Sequence, residues 1–207
     1  EGDVDAFVEA WAKAVAALYP EGPASKDYTS IVNVRHYDRL RGLVDDAQAK
    51  GARVVETGPS PDRAQDRAHT LPPTLVFNVR DDMRIMQEEI FGPVLPIVTY
   101  RDLADAIGFV NARPRPLGLY YFGSSATNRR QVLTRTTSGG VTINGTLLHY
   151  PQDDLPFGGV GASGFGAYHG IEGFRAFSHQ KAVFEVGRWN GGALLRPPFR
   201  RLTNFIL

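Results

Sequence analysis

An alternation of predicted strands and helices over residues 94–144 constrains the fold more than any other feature of this sequence. The strands are predicted at residues 94–100, 117–123 and 140–144, and the helices at 102–112 and 127–136. Successive strands at this spacing indicate parallel crossovers, because a parallel pair needs a long connection over the sheet. We therefore predict the α/β fold class: a parallel sheet with helices on both faces.

The residues before this alternation predict two helices and two short strands. A first helix would place Phe7, Val8, Trp11, Val15 and Leu18 on one apolar face and end at Pro20. A second would run over residues 34–50, with Val34, Tyr37, Leu40, Val44 and Ala47 on its apolar face. The strands are predicted at residues 53–56 and 74–79, with a polar loop over 57–70.

A glycine-rich stretch over residues 144–181 follows the last predicted strand. Asn144 ends that strand, and ligands of parallel sheets collect beyond the carboxyl ends of the strands. Within the stretch, Phe157 lies between Pro156 and Gly158, so its ring has a nearly fixed position and can wall a pocket. The alternative interpretation is a tight surface turn with a buried Phe.

Three of these glycines, Gly159, Gly161 and Gly164, also have the G-x-G-x-x-G spacing of a dinucleotide-binding loop. That motif needs a strand before it and a helix after it. Acidic residues and Pro156 precede the glycines, and further glycines follow them. We therefore regard a phosphate-binding loop as the weaker alternative.

The composition excludes several classes of protein and site. Of the 207 residues, 43% are hydrophobic and 22% are charged, as in an ordinary globular protein. A net charge of +1 favours neither nucleic acid nor an anionic membrane as a partner, and no apolar run has the length of a membrane span. The absence of cysteine excludes disulfides, thiolate-bound metals and a cysteine nucleophile within these residues. We expect no metal site and a cytoplasmic protein.

Residues 88–93 (EEIFGP) place two carboxylates and an aromatic ring before a buried strand. A carboxylate can accept two hydrogen bonds from a sugar diol, and a nearby ring can pack against a nucleoside. A solvated acidic turn with one core Phe explains the same residues.

Two motifs resemble those of the aldehyde dehydrogenase superfamily. Residues 88–94 (EEIFGPV) resemble its cofactor-contacting motif, and residues 156–164 (PFGGVGASG) resemble its C-terminal motif. Four further segments are similar to the class 3 branch, which includes coniferyl aldehyde dehydrogenases: residues 27–39 (DYTSIVNVRHYDR), 94–98 (VLPIV), 168–170 (YHG) and 177–179 (FSH). The resemblance extends from Glu1 to about Val186.

The resemblance implies roles for six residues. Glu89 would hold the hydroxyls of the nicotinamide ribose of NAD or NADP, and Phe91 would pack beside that ribose. Phe157 would line the aldehyde tunnel. Tyr150, Pro151 and His169 stand where class 3 relatives have further tunnel residues. For His169, a hydrogen-bonded structural histidine is an equal alternative.

The family's chemistry also needs catalytic residues that none of these motifs includes. A cysteine thiolate attacks the aldehyde, an asparagine and a backbone N–H stabilise the oxyanion, and a glutamate activates water to release the acid. The resemblance places all of them upstream of Glu1. We therefore expect the C-terminal part of an NAD(P)-dependent aldehyde dehydrogenase, with no catalytic residue of its own and inactive alone. The alternatives are a degenerate, non-catalytic partner subunit and a free-standing nucleotide-binding module.

We expect two regions in the chain. Residues 1–181 would belong to the catalytic domain, and residues 182–207 would form a strand at 183–186 and a tail that contacts another subunit. The expected partners are a small-molecule aldehyde and a second copy of the protein in a homo-oligomer, for which class 3 relatives suggest a dimer. The preferred aldehyde and the choice between NAD and NADP stay open.

Overall fold

The computed structural model describes residues 4–58, 69–188, 190–192 and 197. The helices are α1 (Val4–Leu18), α2 (Val34–Ala49), α3 (Leu103–Asn111), α4 (Ala126–Arg135) and α5 (Gly170–Ala176). The strands are β1 (Arg53–Glu56), β2 (Thr74–Phe77), β3 (Val94–Pro96), β4 (Gly118–Tyr121) and β5 (Gly140–Ile143). Short 3-10 helices occupy Gly22–Ala24 and Arg84–Met86. The chain forms two compact units, Glu1–Ala106 and Ile107–Leu207, which we describe separately.

The first unit contains a three-stranded sheet in the order β1-β2-β3. β2 and β3 are parallel, with Thr74 opposite Val94, whereas β1 runs antiparallel to β2. The sequence predicted the strand at β1, but an apolar run does not show its direction. β3 is shorter than the predicted strand over 94–100, although the Ile97 N–H just beyond its end still donates to the Val76 carbonyl oxygen at 2.8 Å.

Helix α2 supplies much of the core of this unit. Asn33 caps the helix, since its side chain accepts a hydrogen bond from the backbone N–H of His36. Gly51, with φ of 92°, lies just beyond its end. The apolar side chains of α2 pack with those of the sheet and the following loops in one buried cluster: Leu40, Leu43, Ala47, Ala52, Leu71, Val76, Met83, Ile85 and Val94. The predicted apolar face is confirmed at Leu40 and Ala47, but it missed Leu43 and included the exposed Val34.

Helix α1 is confirmed, but its apolar face is mostly uncovered within the described residues. Only Val15 is buried, whereas Phe7 and Leu18 are exposed. The Trp11 indole N–H donates to Thr57 Oγ1 at 3.0 Å. Most of the predicted polar loop over 57–70 lies outside the described residues.

The second unit contains the predicted crossover β4-α4-β5. The two strands are parallel, and Gly118 lies opposite Gly140. Ser125 caps α4 by accepting from the backbone N–H of Asn128. The parallel strands and intervening helices confirm the α/β class. The sheet pairs β4 with β5, and β3 pairs with β2, so the described strands form two sheets and not one continuous series.

The residues after α5 differ from prediction. Residues 183–186, predicted as a strand, pair with no other strand in the described part of the chain. Val183 is 80% exposed and Phe184 is 90% exposed. An apolar run forms a strand only where a neighbouring edge accepts its hydrogen bonds. The remaining tail lies mostly outside the described residues, and the division of the chain at residue 181 stays a prediction.

The described residues include neither a helix suited to cross a membrane nor a cluster suited to bind a metal ion. None of the helices there combines the length and apolar character that a membrane crossing requires. The same residues hold no group of three or more His, Cys, Asp or Glu side chains arranged to bind a metal ion.

Candidate functional site

The loop over residues 88–92 connects the 3-10 helix Arg84–Met86 to β3 and carries Glu89 and Phe91. Both side chains are exposed, and the Phe91 ring is 84% exposed. Within the part of the chain that the structure describes, the Glu89 carboxylate has neither a hydrogen bond nor an ion pair. This loop therefore offers a free carboxylate and a free ring two residues apart.

The two adjacent carboxylates of the loop differ in their surroundings. Glu88 accepts a hydrogen bond of 2.8 Å from Arg84 Nε, and this bond holds the pKa of Glu88 below its usual range. Arg84 also donates its backbone N–H to Asp46 on α2, which lowers the pKa of that carboxyl as well. Glu88 thus belongs to a surface charge network, whereas Glu89 does not.

The backbone of the loop is held from α2. Arg39 donates to the carbonyl oxygens of Glu89 and Ile90, at 2.8 and 2.6 Å. Phe91 has a φ of 49°, in the left-handed region that residues with a side chain seldom adopt. Arg39 was not predicted as a site residue, because its partners are backbone atoms that no side-chain pattern reveals.

In the second unit, five rings form an aromatic cluster: His149, Tyr150, Phe157, Tyr168 and His169. Phe157 lies at its centre. Its centroid is 4.9 Å from that of Tyr150 in an edge-to-face contact and 5.9 Å from that of His169 in a stacked one. Three predicted site residues, Tyr150, Phe157 and His169, therefore lie together. Pro151, the fourth from this unit, is exposed beside Tyr150.

The backbone around Phe157 explains how its ring is placed. Phe157 and Tyr168 exchange two backbone hydrogen bonds of 2.9 Å, forming a short antiparallel bridge. The chain between them must reverse direction tightly. A Cβ on Gly159 would overlap the carbonyl oxygen of Ser163, and Gly161 has a φ of 63°.

This turn does not have the arrangement of a phosphate-binding loop. Gly161 and Gly164 form an isolated bridge across it, and the Val160 N–H donates to Ser163 Oγ. The backbone N–H groups of Val160, Ser163 and Gly164 are thus used within the turn. The next helix, α5, begins only at Gly170. This arrangement is in keeping with the phosphate-binding loop being the weaker alternative.

His149 and Tyr168 join the cluster without having been predicted as site residues. The imidazole of His149 lies over Gly118 and Gly140, where a Cβ on Gly140 would overlap the ring. Its Nδ1 is 2.8 Å from Thr142 Oγ1. The place of His149 over these two glycines follows from the strand register, so no signal in the sequence identifies it.

His169 has a backbone and a side chain that are both unusual. Its φ is 79°, and it immediately precedes α5. Its Nδ1 is buried and has no hydrogen-bond partner among the residues that the structure describes. At that atom, the hydrogen bond expected of a structural histidine is not formed.

Comparison with known proteins identifies the family. The model of the "Aldehyde dehydrogenase family" matches residues 1–183. Coniferyl aldehyde dehydrogenase of Pseudomonas sp. (strain HR199) is 52% identical over 211 residues, which cover 100% of this chain and 44% of the relative. The chain therefore spans less than half the length of that relative.

Solved structures agree with this assignment. The structure of Staphylococcus aureus AldH in its substrate-bound state has a TM-score of 0.81 at 40% identity, over 98% of this chain and 43% of the other. Betaine aldehyde dehydrogenase (betB) from Staphylococcus aureus in complex with NAD+ has a TM-score of 0.65 at 28% identity, over 74% of this chain and 31% of the other. The fold class and the resemblance seen in the sequence are confirmed: the chain belongs to the aldehyde dehydrogenase family.

Proposed function

We propose that this chain is the C-terminal part of an NAD(P)-dependent enzyme that oxidises an aldehyde, coniferyl or another aromatic one, to the carboxylic acid. The observation that carries the proposal is the 88–92 loop of an aldehyde dehydrogenase family member, whose Glu89 carboxylate has no partner among the described residues and whose Phe91 ring is exposed. The 52% identity to a coniferyl aldehyde dehydrogenase supports an aromatic substrate.

In this proposal Glu89 and Phe91 hold the cofactor. The Glu89 carboxylate accepts hydrogen bonds from the two hydroxyls of the nicotinamide ribose, for which it has both oxygens available. The Phe91 ring packs against the same ribose and covers apolar surface that is otherwise exposed. NAD or NADP, when bound, supplies the hydride acceptor. The residues present fit such a group, since the Glu89 carboxylate, which none of the described residues pairs with, suits a diol.

The aromatic cluster forms a wall of the aldehyde tunnel. Phe157, Tyr150 and His169 would pack on the substrate with Pro151 beside them and exclude water from it. An aryl aldehyde gains edge-to-face or offset contacts with such rings that an aliphatic one lacks. The nucleophilic cysteine would come from outside these residues, since the chain contains none, and the chain alone is expected to be inactive. We further propose a cytoplasmic homodimer in which residues 182–207 contact the second subunit.

The test is formation of NADH or NADPH by the full-length gene product with coniferyl aldehyde. Glu89→Gln should raise the KM for the cofactor about tenfold or slow hydride transfer. The matched control is Glu88→Gln, which should stay within about threefold of the parent because Glu88 is already paired with Arg84. Phe157→Ala should change the ratio of kcat/KM between aryl and aliphatic aldehydes.

Two outcomes would replace the proposal by its alternatives. A parent protein that binds NAD(P)H but oxidises no aldehyde would indicate a degenerate partner subunit. Cofactor binding by these residues alone, lost on replacement of Gly159 or Gly161 and not of Glu89, would indicate a nucleotide-binding module.

A further inference from the structure

The guanidinium of Arg39 binds two consecutive carbonyl groups of the 88–92 loop. Nη1 donates to the Glu89 oxygen at 2.8 Å, and Nη2 donates to the Ile90 oxygen at 2.6 Å. Hydrogen bonds from a charged donor are stronger than neutral ones, and a planar fork that binds two acceptors also fixes their orientation. Arg39 therefore sets the direction of two successive peptide groups, some fifty residues away along the chain.

The next residue of α2 holds the other side of the loop. Leu40 is fully buried, and a Cβ on Gly92 would lie 2.6 Å from its Cδ1 atom. Only glycine allows the loop to approach the helix this closely. Arg39 and Leu40 thus fix the backbone immediately before and immediately after Phe91.

Phe91 itself has an unfavourable backbone conformation. A left-handed φ of 49° brings the Cβ of an aromatic residue close to its own backbone, so the surrounding structure must enforce it. The Phe91 ring cannot do this, since it is 84% exposed. The restraint comes from the two bonds of Arg39 on one side and the Gly92–Leu40 contact on the other.

The hydrogen bonds that Arg39 makes within the described residues go to backbone atoms of the loop, so it leaves the side chains of Glu89 and Phe91 available to a ligand. If Arg39 is removed, the two carbonyls lose their donor and Phe91 can relax to an ordinary φ. The carboxylate and the ring would then no longer point in the directions that the loop now gives them.

We propose that Arg39 of α2 is a positioning residue for the cofactor: by binding the Glu89 and Ile90 carbonyls, it holds Phe91 in its left-handed conformation and presents the Glu89 carboxylate and the Phe91 ring to one ribose. This inference rests on the proposed function of the loop and extends it to a residue that touches neither cofactor nor substrate. The opposing interpretation is that Arg39 only stabilises the fold.

The test compares Arg39→Met and Arg39→Lys in the full-length protein with Arg41→Met. Arg41 is an exposed arginine on the same helix, and its side chain has no hydrogen bond or ion pair within the described residues. The Kd of NADH and NADPH is measured by fluorescence, the KM of cofactor and of aldehyde by steady-state kinetics, and unfolding by thermal denaturation.

If Arg39 positions the cofactor-binding side chains, its replacement should change the constants for the cofactor and not those for the aldehyde. Arg39→Met should raise the Kd and KM of the cofactor about tenfold and leave the KM of the aldehyde within about twofold. Arg39→Lys should lie between Arg39→Met and the parent, because one ammonium group cannot orient both carbonyls. Arg41→Met should match the parent. A cofactor Kd within twofold of the parent in both Arg39 variants would overturn the proposal, as would equal changes in the KM of cofactor and aldehyde.

A double variant tests the coupling between Arg39 and Glu89, with the conservative Arg39→Lys chosen so that the protein still folds. If Arg39 acts through Glu89, Arg39→Lys combined with Glu89→Gln should weaken cofactor binding by less than the product of the two single effects. Independent, multiplicative effects would contradict the proposal. A parent that neither binds NAD(P)H nor oxidises aldehydes would instead defeat the proposed function, whereas a defective Glu89→Gln beside normal Arg39 variants would defeat this inference alone.

Discussion

His149 Nδ1 lies 2.8 Å from Thr142 Oγ1, and this contact ties the aromatic cluster to strand β5. Thr142 is only 9% exposed, so its hydroxyl has little access to water. The imidazole covers Gly118 and Gly140 and approaches Phe157, with 6.0 Å between the ring centroids. The hydrogen-bonded pair of Thr142 and His149 therefore supports the ring of Phe157.

We predict that Thr142→Val lowers the stability of the full-length protein by about 1–2 kcal/mol, since it leaves Nδ1 of the half-buried His149 without this partner at nearly unchanged side-chain volume. Urea denaturation measures this change. The matched control is Thr146→Val, at an exposed residue of the following loop, which should change stability by less than about 0.5 kcal/mol.

The interaction between Thr142 and His149 can be measured by a double-variant cycle. His149→Phe removes the second polar atom, so adding Thr142→Val to it should cost less than Thr142→Val costs in the parent. Equal costs in the two backgrounds would show that the contact contributes nothing.

The turn after Phe157 provides a second prediction, because two of its glycines are needed for different reasons. Gly159→Ala should destabilise the protein by about 3 kcal/mol, since the new Cβ would meet the backbone of Ser163, which cannot move aside like a side chain. Gly161→Ala should cost about 1–2 kcal/mol, because its φ is positive but the space beside it is open. Chemical denaturation of both variants ranks them.

The two variants should also differ in substrate use. Gly159 lies two residues after Phe157, so Gly159→Ala should raise the KM for aryl aldehydes, while Gly161→Ala leaves it near the parent value. Gly161→Ala as damaging as Gly159→Ala would refute the close approach at Gly159.

The resemblance assigned Tyr150, Phe157 and His169 to one aldehyde tunnel, and the structure brings their rings together, while their role in a tunnel stays a prediction. The atoms that hold these rings were not predicted. His149 was not predicted, because its place depends on Gly118 lying opposite Gly140, which only the strand register reveals. A single histidine after an apolar run gives no periodic signal.

Other differences in the fold have the same origin. Apolar periodicity located α1, but not what covers its apolar face, and Phe7 and Leu18 are exposed. It located β1, but strand direction follows from pairing with β2. Segment type is encoded locally and was predicted well, whereas register, direction and backbone contacts arise from distant segments.

Tyr28 provides the last prediction, which concerns pH. Its ring is 7% exposed, and its hydroxyl donates to the Leu71 carbonyl oxygen at 2.6 Å. Burial raises the pKa of Tyr28 to about 12, and the neighbouring Tyr19 contributes in the same direction. Below pH 10, Tyr28→Phe should cost about 1–2 kcal/mol through the lost hydrogen bond.

The sign of the pH dependence follows from proton binding. An unfolded tyrosine loses its proton near pH 10, whereas the folded one keeps it to about pH 12, so the folded state binds more protons between these values. The stability that Tyr28 contributes is thus complete below pH 10 and is lost as the pH rises towards 12. The loss amounts to about 2–3 kcal/mol, from about 1.4 kcal/mol for each pKa unit.

The difference in unfolding free energy between the parent and Tyr28→Phe should therefore shrink or change sign as the pH rises. Urea denaturation from pH 8 to 11.5 measures this difference. Tyr100→Phe, at a ring that is 59% exposed, is the control, and its unfolding free energy should change with pH as that of the parent does. A constant difference in unfolding free energy between the parent and Tyr28→Phe across this range would contradict the raised pKa.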